Sequence, residues 1–317
     1  MTHCAPGIPL HPRLMSSKPE RISVLCRGPG PDESRQLSYW QWGRADAARV
    51  VLCVHGLTRQ GRDFDVLAQA LLAAAGGDLR VVCPDVAGRG YSDWLADPQH
   101  YGIATYVADM AQLIAALHRQ APITTLDLVG TSMGGLIGIG VCATPELPLP
   151  VPVRRLVLND VGPTLEWLGL QRISTYVGLM GRFDTEQEAV DSMARVSVGF
   201  GPHTSEQWMA LSRPMLRALP EGGFGLHYDP AIGVPFRTLT EQAAREGEAV
   251  WWQAWDRITA QTLLLRGAQS DLLSAATARA MTERGPRARL LEFPGVGHAP
   301  TFVPPQQSEP VVAFLLS

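Results

Sequence analysis

Short runs of β-branched and aliphatic residues alternate with longer amphipathic stretches over most of the chain, which predicts a mostly parallel sheet covered by helices on both faces. Residues 21–26 and 37–42 predict two opening strands separated by the turn-rich Gly28-Pro29-Gly30-Pro31-Asp32, and these pair as an antiparallel edge. Residues 50–54 predict a buried strand, 64–75 an amphipathic helix, 80–83 a strand and 104–120 a long helix. A strand over 124–129, a helix over 134–143 and a strand over 155–158 follow, the last ending at Asn159-Asp160-Val161-Gly162-Pro163. The alternation then stops. From 164 to 257 the chain carries helical stretches, Gly and Pro punctuation and many aromatics, and it reads as a helical cap inserted into the core. The rhythm resumes with a strand over 262–266, a helix over 275–284, a strand over 289–293 and a terminal helix over 307–316. The expected organisation is therefore a core of residues 21–163 and 258–317, a cap of 164–257 and an irregular N-terminal segment, 1–20, with no internal repeat and no low-complexity tract.

Composition narrows the function. With 317 residues and 46% hydrophobic content, the chain can build one large core with an insertion. A net charge of -3 offers no basic surface for a phosphate backbone, so nucleic acid is not an expected partner. Lys18 is the sole lysine, which sets Schiff-base chemistry aside. The five cysteines, Cys4, Cys26, Cys53, Cys83 and Cys142, show no CxxC spacing and read as free thiols in a reducing compartment. No signal-peptide pattern opens the chain, so the expected location is cytoplasmic. The longest apolar stretch, 126–143, is interrupted by Asp127 and by Thr131-Ser132-Met133-Gly134-Gly135, so it reads as strand, turn and buried helix, and no membrane association is expected.

The turn inside that stretch carries the chemistry. Gly130-Thr131-Ser132-Met133-Gly134 follows a strand and opens a helix, the setting of a G-x-S-x-G nucleophile elbow. There the serine hydroxyl stands clear at the C-terminal edge of the sheet, with the Met133 N–H beside any oxyanion that forms. A serine needs a base. His3 and His11 lie in the irregular N-terminus, His100 and His118 flank a helix, and His203 and His227 fall in the cap. His298, in Gly297-His298-Ala299-Pro300 just after the last strand, is the histidine expected at the catalytic edge. The carboxylate that orients it should end another strand of that edge. Asp271 does so in the chain order Ser, Asp, His and is the favoured acid, with Asp160, at the end of the strand after the nucleophile helix, as its rival. In Val54-His55-Gly56-Leu57-Thr58 the glycine lets the loop bend so that the Leu57 N–H serves as second oxyanion donor, while His55 braces the loop.

Taken together, His55-Gly56, the run from Pro84-Asp85 to Tyr91-Ser92, Gly130 to Gly135, Gly267 to Asp271 and Gly297-His298 resemble the α/β-hydrolase superfamily in its lid-bearing branch, from about Arg21 to the C-terminus outside the cap. The resemblance implies an α/β-hydrolase fold with an eight-stranded, mostly parallel sheet, a helical cap after the sixth strand, a Ser-His-Asp triad, and no metal or organic cofactor. It also implies that the stretch from Asp85 to Ser92 is a turn scaffold. Fold does not choose the substrate. Hydrolysis of a small carboxylic ester is the first expectation. Carbon–carbon cleavage of a ring-fission dienoate or opening of an enol-lactone is the alternative, although dienoate hydrolases generally have asparagine in place of Thr131. A reading of another class makes the chain a ligand receptor with a hydrolase pocket and little turnover.

Overall fold

Successive residues of the central strands bury opposite sides, and this period of two splits the core into layers above and below one sheet. Val50, Leu52 and Val54 join one hydrophobic cluster while Val51 and Cys53 join the other. A computed structural model of the protein describes residues 18–28 and 33–317. Outside them lie residues 1–17, with Cys4, His3 and His11, and residues 29–32 of the expected turn.

The chain runs β1 (Glu20–Arg27), β2 (Ser34–Gly43), β3 (Arg49–Val54), α1 (Asp65–Ala74), β4 (Arg80–Pro84), α2 (Ile103–Gln120), β5 (Thr125–Thr131), α3 (Met133–Ala143) and β6 (Val153–Asn159). The core closes with β10 (Gln261–Gly267), α9 (Ala275–Glu283), β11 (Arg289–Phe293) and α10 (Pro305–Leu316). Eight strands form one sheet in the order β1-β2-β4-β3-β5-β6-β10-β11. It is parallel except for the antiparallel pairs β1·β2 and β2·β4 at one edge. Leu67 and Leu71 of α1 and Val311 and Leu315 of α10 cover one face. Met110 and Ile114 of α2 and Ile137 of α3 cover the other. Asp127, which interrupts the apolar run of β5, is fully buried and meets Arg154 at 2.6 Å and Arg49 at 3.6 Å.

Between β6 and β10 the segment folds as α4 (Trp167–Tyr176), β7 (Arg182–Phe183), α5 (Glu186–Val196), α6 (Ser205–Ser212), β8 (Leu216–Ala218), β9 (Phe224–Leu226), α7 (Val234–Arg237) and α8 (Glu241–Arg257). It is not purely helical. A small antiparallel sheet in the order β7-β9-β8 sits within it, built from strands of two and three residues, too short for periodicity to betray. Among the described residues no helix is long and apolar enough to cross a membrane.

The register brings four strand ends to one rim: Val54 of β3 lies opposite Gly130 of β5, and Asn159 of β6 lies opposite both Thr131 of β5 and Leu265 of β10. The turn from β5 into α3 rests on two glycines with no room for a side chain. A Cβ at Gly134 would lie 1.9 Å from the Val54 carbonyl oxygen, and one at Gly130 would lie 2.3 Å from the Gly134 carbonyl oxygen. By contrast a Cβ at Gly247, inside α8, meets nothing within 4 Å. Gly134→Ala is therefore expected to lower the free energy of unfolding by more than about 2 kcal/mol through forced backbone displacement. Gly247→Ala is expected to raise it by roughly 0.5–1 kcal/mol through helix propensity. Urea unfolding of the two variants beside wild type measures both shifts.

Candidate active site

Ser132 occupies the turn between β5 and α3 with φ 52° and ψ -118°, a left-handed backbone that non-glycine residues adopt only where the surroundings enforce it. The two flanking glycines and the Ser132 N–H, which donates to the Asn159 carbonyl at 2.9 Å, enforce it here. The Ser132 hydroxyl then faces the loop after β11. Its Oγ lies 2.8 Å from Nε2 of His298, and Nδ1 of His298 lies 2.7 Å from Oδ2 of Asp160. The neutral tautomer that satisfies both contacts donates from Nδ1 to the carboxylate and accepts the serine proton at Nε2.

The carboxylate beside the imidazole belongs to Asp160, which corrects the expectation for Asp271. Asp160 is fully buried at the end of β6, with φ 56°. Besides His298 it accepts from the Gly267 N–H at 2.9 Å and from the Ser270 hydroxyl at 2.6 Å, so its charge is satisfied by three donors. Asp271 lies in the loop after the neighbouring strand, β10, and is engaged elsewhere. Arg172 of α4 grips it with a two-pronged contact, Nη2 to Oδ1 at 2.9 Å and Nε to Oδ2, and this hydrogen-bonded ion pair holds the Asp271 carboxyl below the usual carboxylate range.

Asn159, to which the sequence assigns no role, ties the rim together: its side-chain N–H groups donate to the Thr131 hydroxyl at 3.0 Å and to the Pro300 carbonyl at 2.7 Å. It thereby links the nucleophile turn to the histidine loop. The inserted segment secures that loop from above, where the Gly297 N–H donates to the Gly199 carbonyl at 2.7 Å and His203 Nε2 lies 2.8 Å from the Thr301 hydroxyl.

The loop after β3 also lies against Ser132, where a Cβ at Gly56 would come 3.7 Å from the serine Cβ. His55 is fully buried, its Nε2 accepts the Val86 N–H at 2.9 Å, and Nδ1 therefore carries the proton and donates to the Gly56 carbonyl at 2.7 Å. Burial pushes its pKa down to about 3, so the ring stays neutral. Among the described residues, the Leu57 and Met133 amides donate to no protein acceptor, and Met133 is the first residue of α3.

Ser132 and His298 open into a cavity of about 430 Å³ between the sheet edge and the inserted segment, within the usual range for small-ligand sites. Its walls are mainly apolar, with Leu57 and Phe302 from the core and Ile173, Tyr176, Met193 and Phe200 from the insertion. The charges that reach it are paired: Arg59 with Asp63, and Arg172 with Asp271. Of the tryptophans in α8, Trp255 is buried with its indole N–H on the Arg284 carbonyl, and Trp252 donates to the Thr164 hydroxyl; both are packing residues. Among the described residues, no cluster of three or more His, Cys, Asp or Glu side chains is placed to hold a metal ion. Cys26, Cys53, Cys83 and Cys142 are free thiols.

Known proteins share this architecture. The chain is 46% identical over 296 residues to a 3-hydroxybutyrate-oligomer hydrolase of Cupriavidus necator, an alignment covering 92% of this chain and 96% of that protein. An α/β hydrolase from Novosphingobium aromaticivorans superposes with a TM-score of 0.78 at 31% identity, over 94% of this chain and 98% of the other. An esterase from Mycobacterium tuberculosis superposes with a TM-score of 0.65 at 24% identity, over 94% and 92% of the two chains, and shares the fold. The model of the alpha/beta hydrolase family matches residues 51–314, and the chain is an enzyme that belongs to that family.

Proposed function

We propose that this enzyme hydrolyses short carboxylic esters, oligomers of 3-hydroxybutyrate among them, through an acyl-enzyme on Ser132. The observation that carries the reading is the hydrogen-bonded chain Ser132–His298–Asp160 at the floor of an apolar cavity. The Cupriavidus necator relative, aligned over nearly its whole length, supports the choice of substrate. An oligomer of a hydroxy acid presents ester carbonyls between small alkyl groups, which suits walls that are mostly hydrocarbon.

In the first half-reaction Ser132 Oγ attacks the ester carbonyl carbon while His298 Nε2 takes the hydroxyl proton, and Asp160 stabilises the imidazolium that results. The tetrahedral oxyanion is received by the Leu57 and Met133 amides. His55 aims the first of these. It holds the Gly56 carbonyl, and in a trans peptide the Leu57 N–H of the same unit must point the opposite way. Collapse expels the alcohol, which leaves with the proton from His298. Water, deprotonated by His298, then attacks the acyl-enzyme, and the second tetrahedral intermediate breaks down to the free acid and Ser132.

Incubation of purified enzyme with 3-hydroxybutyrate dimers and trimers, p-nitrophenyl esters, an enol-lactone and a dienoate tests the proposal. Release of 3-hydroxybutyrate and p-nitrophenol is expected. Turnover of the dienoate alone, or ligand binding without turnover, would overturn it. Ser132→Ala is expected to lower kcat by at least about 10⁴-fold without loss of fold. Asp160→Asn should cost roughly 10³–10⁴-fold in kcat and Asp271→Asn less than about tenfold, and steady-state kinetics on a short-chain ester give the comparison.

His55 sets a pH dependence of stability. An unfolded histidine binds its proton near pH 6.5 whereas folded His55 does so only at about 3, so the unfolded state holds more protons between these limits. The stability this group contributes is complete above pH 6.5 and is lost as pH falls toward 3, by up to about 1.4 kcal/mol per unit. His55→Gln is expected to flatten that acid slope in urea unfolding measured from pH 6.5 to pH 4.5, and equal slopes for variant and wild type would contradict the assignment.

A further inference from the structure

Arg89, in the turn after β4, is fully buried, yet among the described residues it makes no ion pair with a carboxylate. Its Nε–H donates to the Leu57 carbonyl at 2.8 Å, and Nη1 donates to the Ala87 carbonyl at 2.7 Å and the Tyr106 hydroxyl at 2.9 Å. Nη2 points at the Met133 sulfur, 3.6 Å away. The guanidinium carbon lies 5.7 and 5.1 Å from the ring centroids of Tyr101 and Tyr106. Among the described residues, a carboxylate joins this network through Tyr101, whose hydroxyl donates to Asp229 at 2.5 Å.

Burying a cation without a counterion costs several kcal/mol, and a fold gains nothing from that which a neutral side chain of similar size would not supply. What distinguishes Arg89 is the pair of residues it touches. Leu57 and Met133 carry the two amides that the proposed reaction assigns to the oxyanion, and one guanidinium grips the carbonyl of the first and the side chain of the second. We propose that Arg89 is a positioning residue of the oxyanion hole, which fixes the distance between its two amides and supplies a buried positive charge behind them. The inference rests on the ester-hydrolase reading and goes beyond it. A neutral ester carbonyl interacts weakly with such a charge, whereas the tetrahedral oxyanion carries a full negative charge in a site of low dielectric, so the contribution falls on kcat. Glutamine in its place preserves a donor but no charge; lysine preserves the charge but not the fork.

The test compares wild type, Arg89→Gln and Arg89→Lys, with active sites counted by fluorophosphonate labelling of Ser132 so that any unfolded fraction is excluded. Three quantities are read per labelled site: kcat and KM on a short p-nitrophenyl ester, affinity for an alkylboronic acid, which forms an anionic tetrahedral adduct on the serine, and affinity for the alcohol of matching chain length. In Arg89→Gln kcat is expected to fall about 10²-fold with KM within about threefold, and boronate affinity to fall in step while alcohol affinity holds. Arg89→Lys should recover part of both losses. Unchanged kcat and boronate affinity in Arg89→Gln, equal loss of boronate and alcohol binding, or failure of both variants to fold as read by circular dichroism would overturn the inference. Wild-type enzyme that neither labels at Ser132 nor binds the boronate would instead overturn the hydrolase reading, and the role of Arg89 with it.

Discussion

Everything at the rim depends on how closely the first turn of α3 can approach the end of β3. A methyl group at Gly134 would collide with the Val54 carbonyl, so the helix start and the loop that follows β3 are held in backbone contact. That contact brings the turn that holds Ser132 against the loop that carries Gly56. The register of β5, β6 and β10 puts the ends of the other strands level with it, and His298 arrives from the loop after β11. A parallel sheet gathers residues from distant parts of the chain in this way because all its parallel strands end at one edge.

Around that edge the charges are arranged with little left to chance. Asp160 has three donors and no exposure, which fixes the direction of its lone pairs and so the tilt of the imidazole. His55 is kept neutral by burial and spends both ring nitrogens on backbone partners. Arg172 neutralises Asp271, so a second carboxylate stands near the His298 imidazole without competing for it. The cavity itself is left mostly hydrocarbon, and reacting dipoles there meet few mobile charges.

Much of this was legible before any coordinates. The core strands and helices follow from alternating and 3.6-residue periodicity, and the Ser132 turn and the His298 loop follow from the glycines beside these two residues. The acid was not. Asp160 and Asp271 follow adjacent strands of the same rim, and both satisfy the order Ser, Asp, His, so spacing cannot separate them. What separates them is tertiary: Ser270 and Gly267 donate to Asp160, and an arginine from the insertion claims Asp271. A signal was present in Asn159-Asp160-Val161-Gly162, since Asp tolerates the left-handed backbone found there. The small sheet β7-β9-β8 was hidden because strands of two or three residues carry no period. Arg89 was hidden differently, inside a stretch that the family resemblance marks as a turn scaffold.

The central claim is that one imidazole joins Ser132 to Asp160 while two backbone amides wait across from it. A crystal structure of the enzyme with a phosphonate covalently attached to Ser132 tests it most directly. The account predicts a phosphoryl oxygen within about 3 Å of both the Leu57 and Met133 nitrogens, with His298 still bonded to Asp160. A phosphoryl oxygen turned away from those amides, or an imidazole bonded to Asp271 instead, would contradict it.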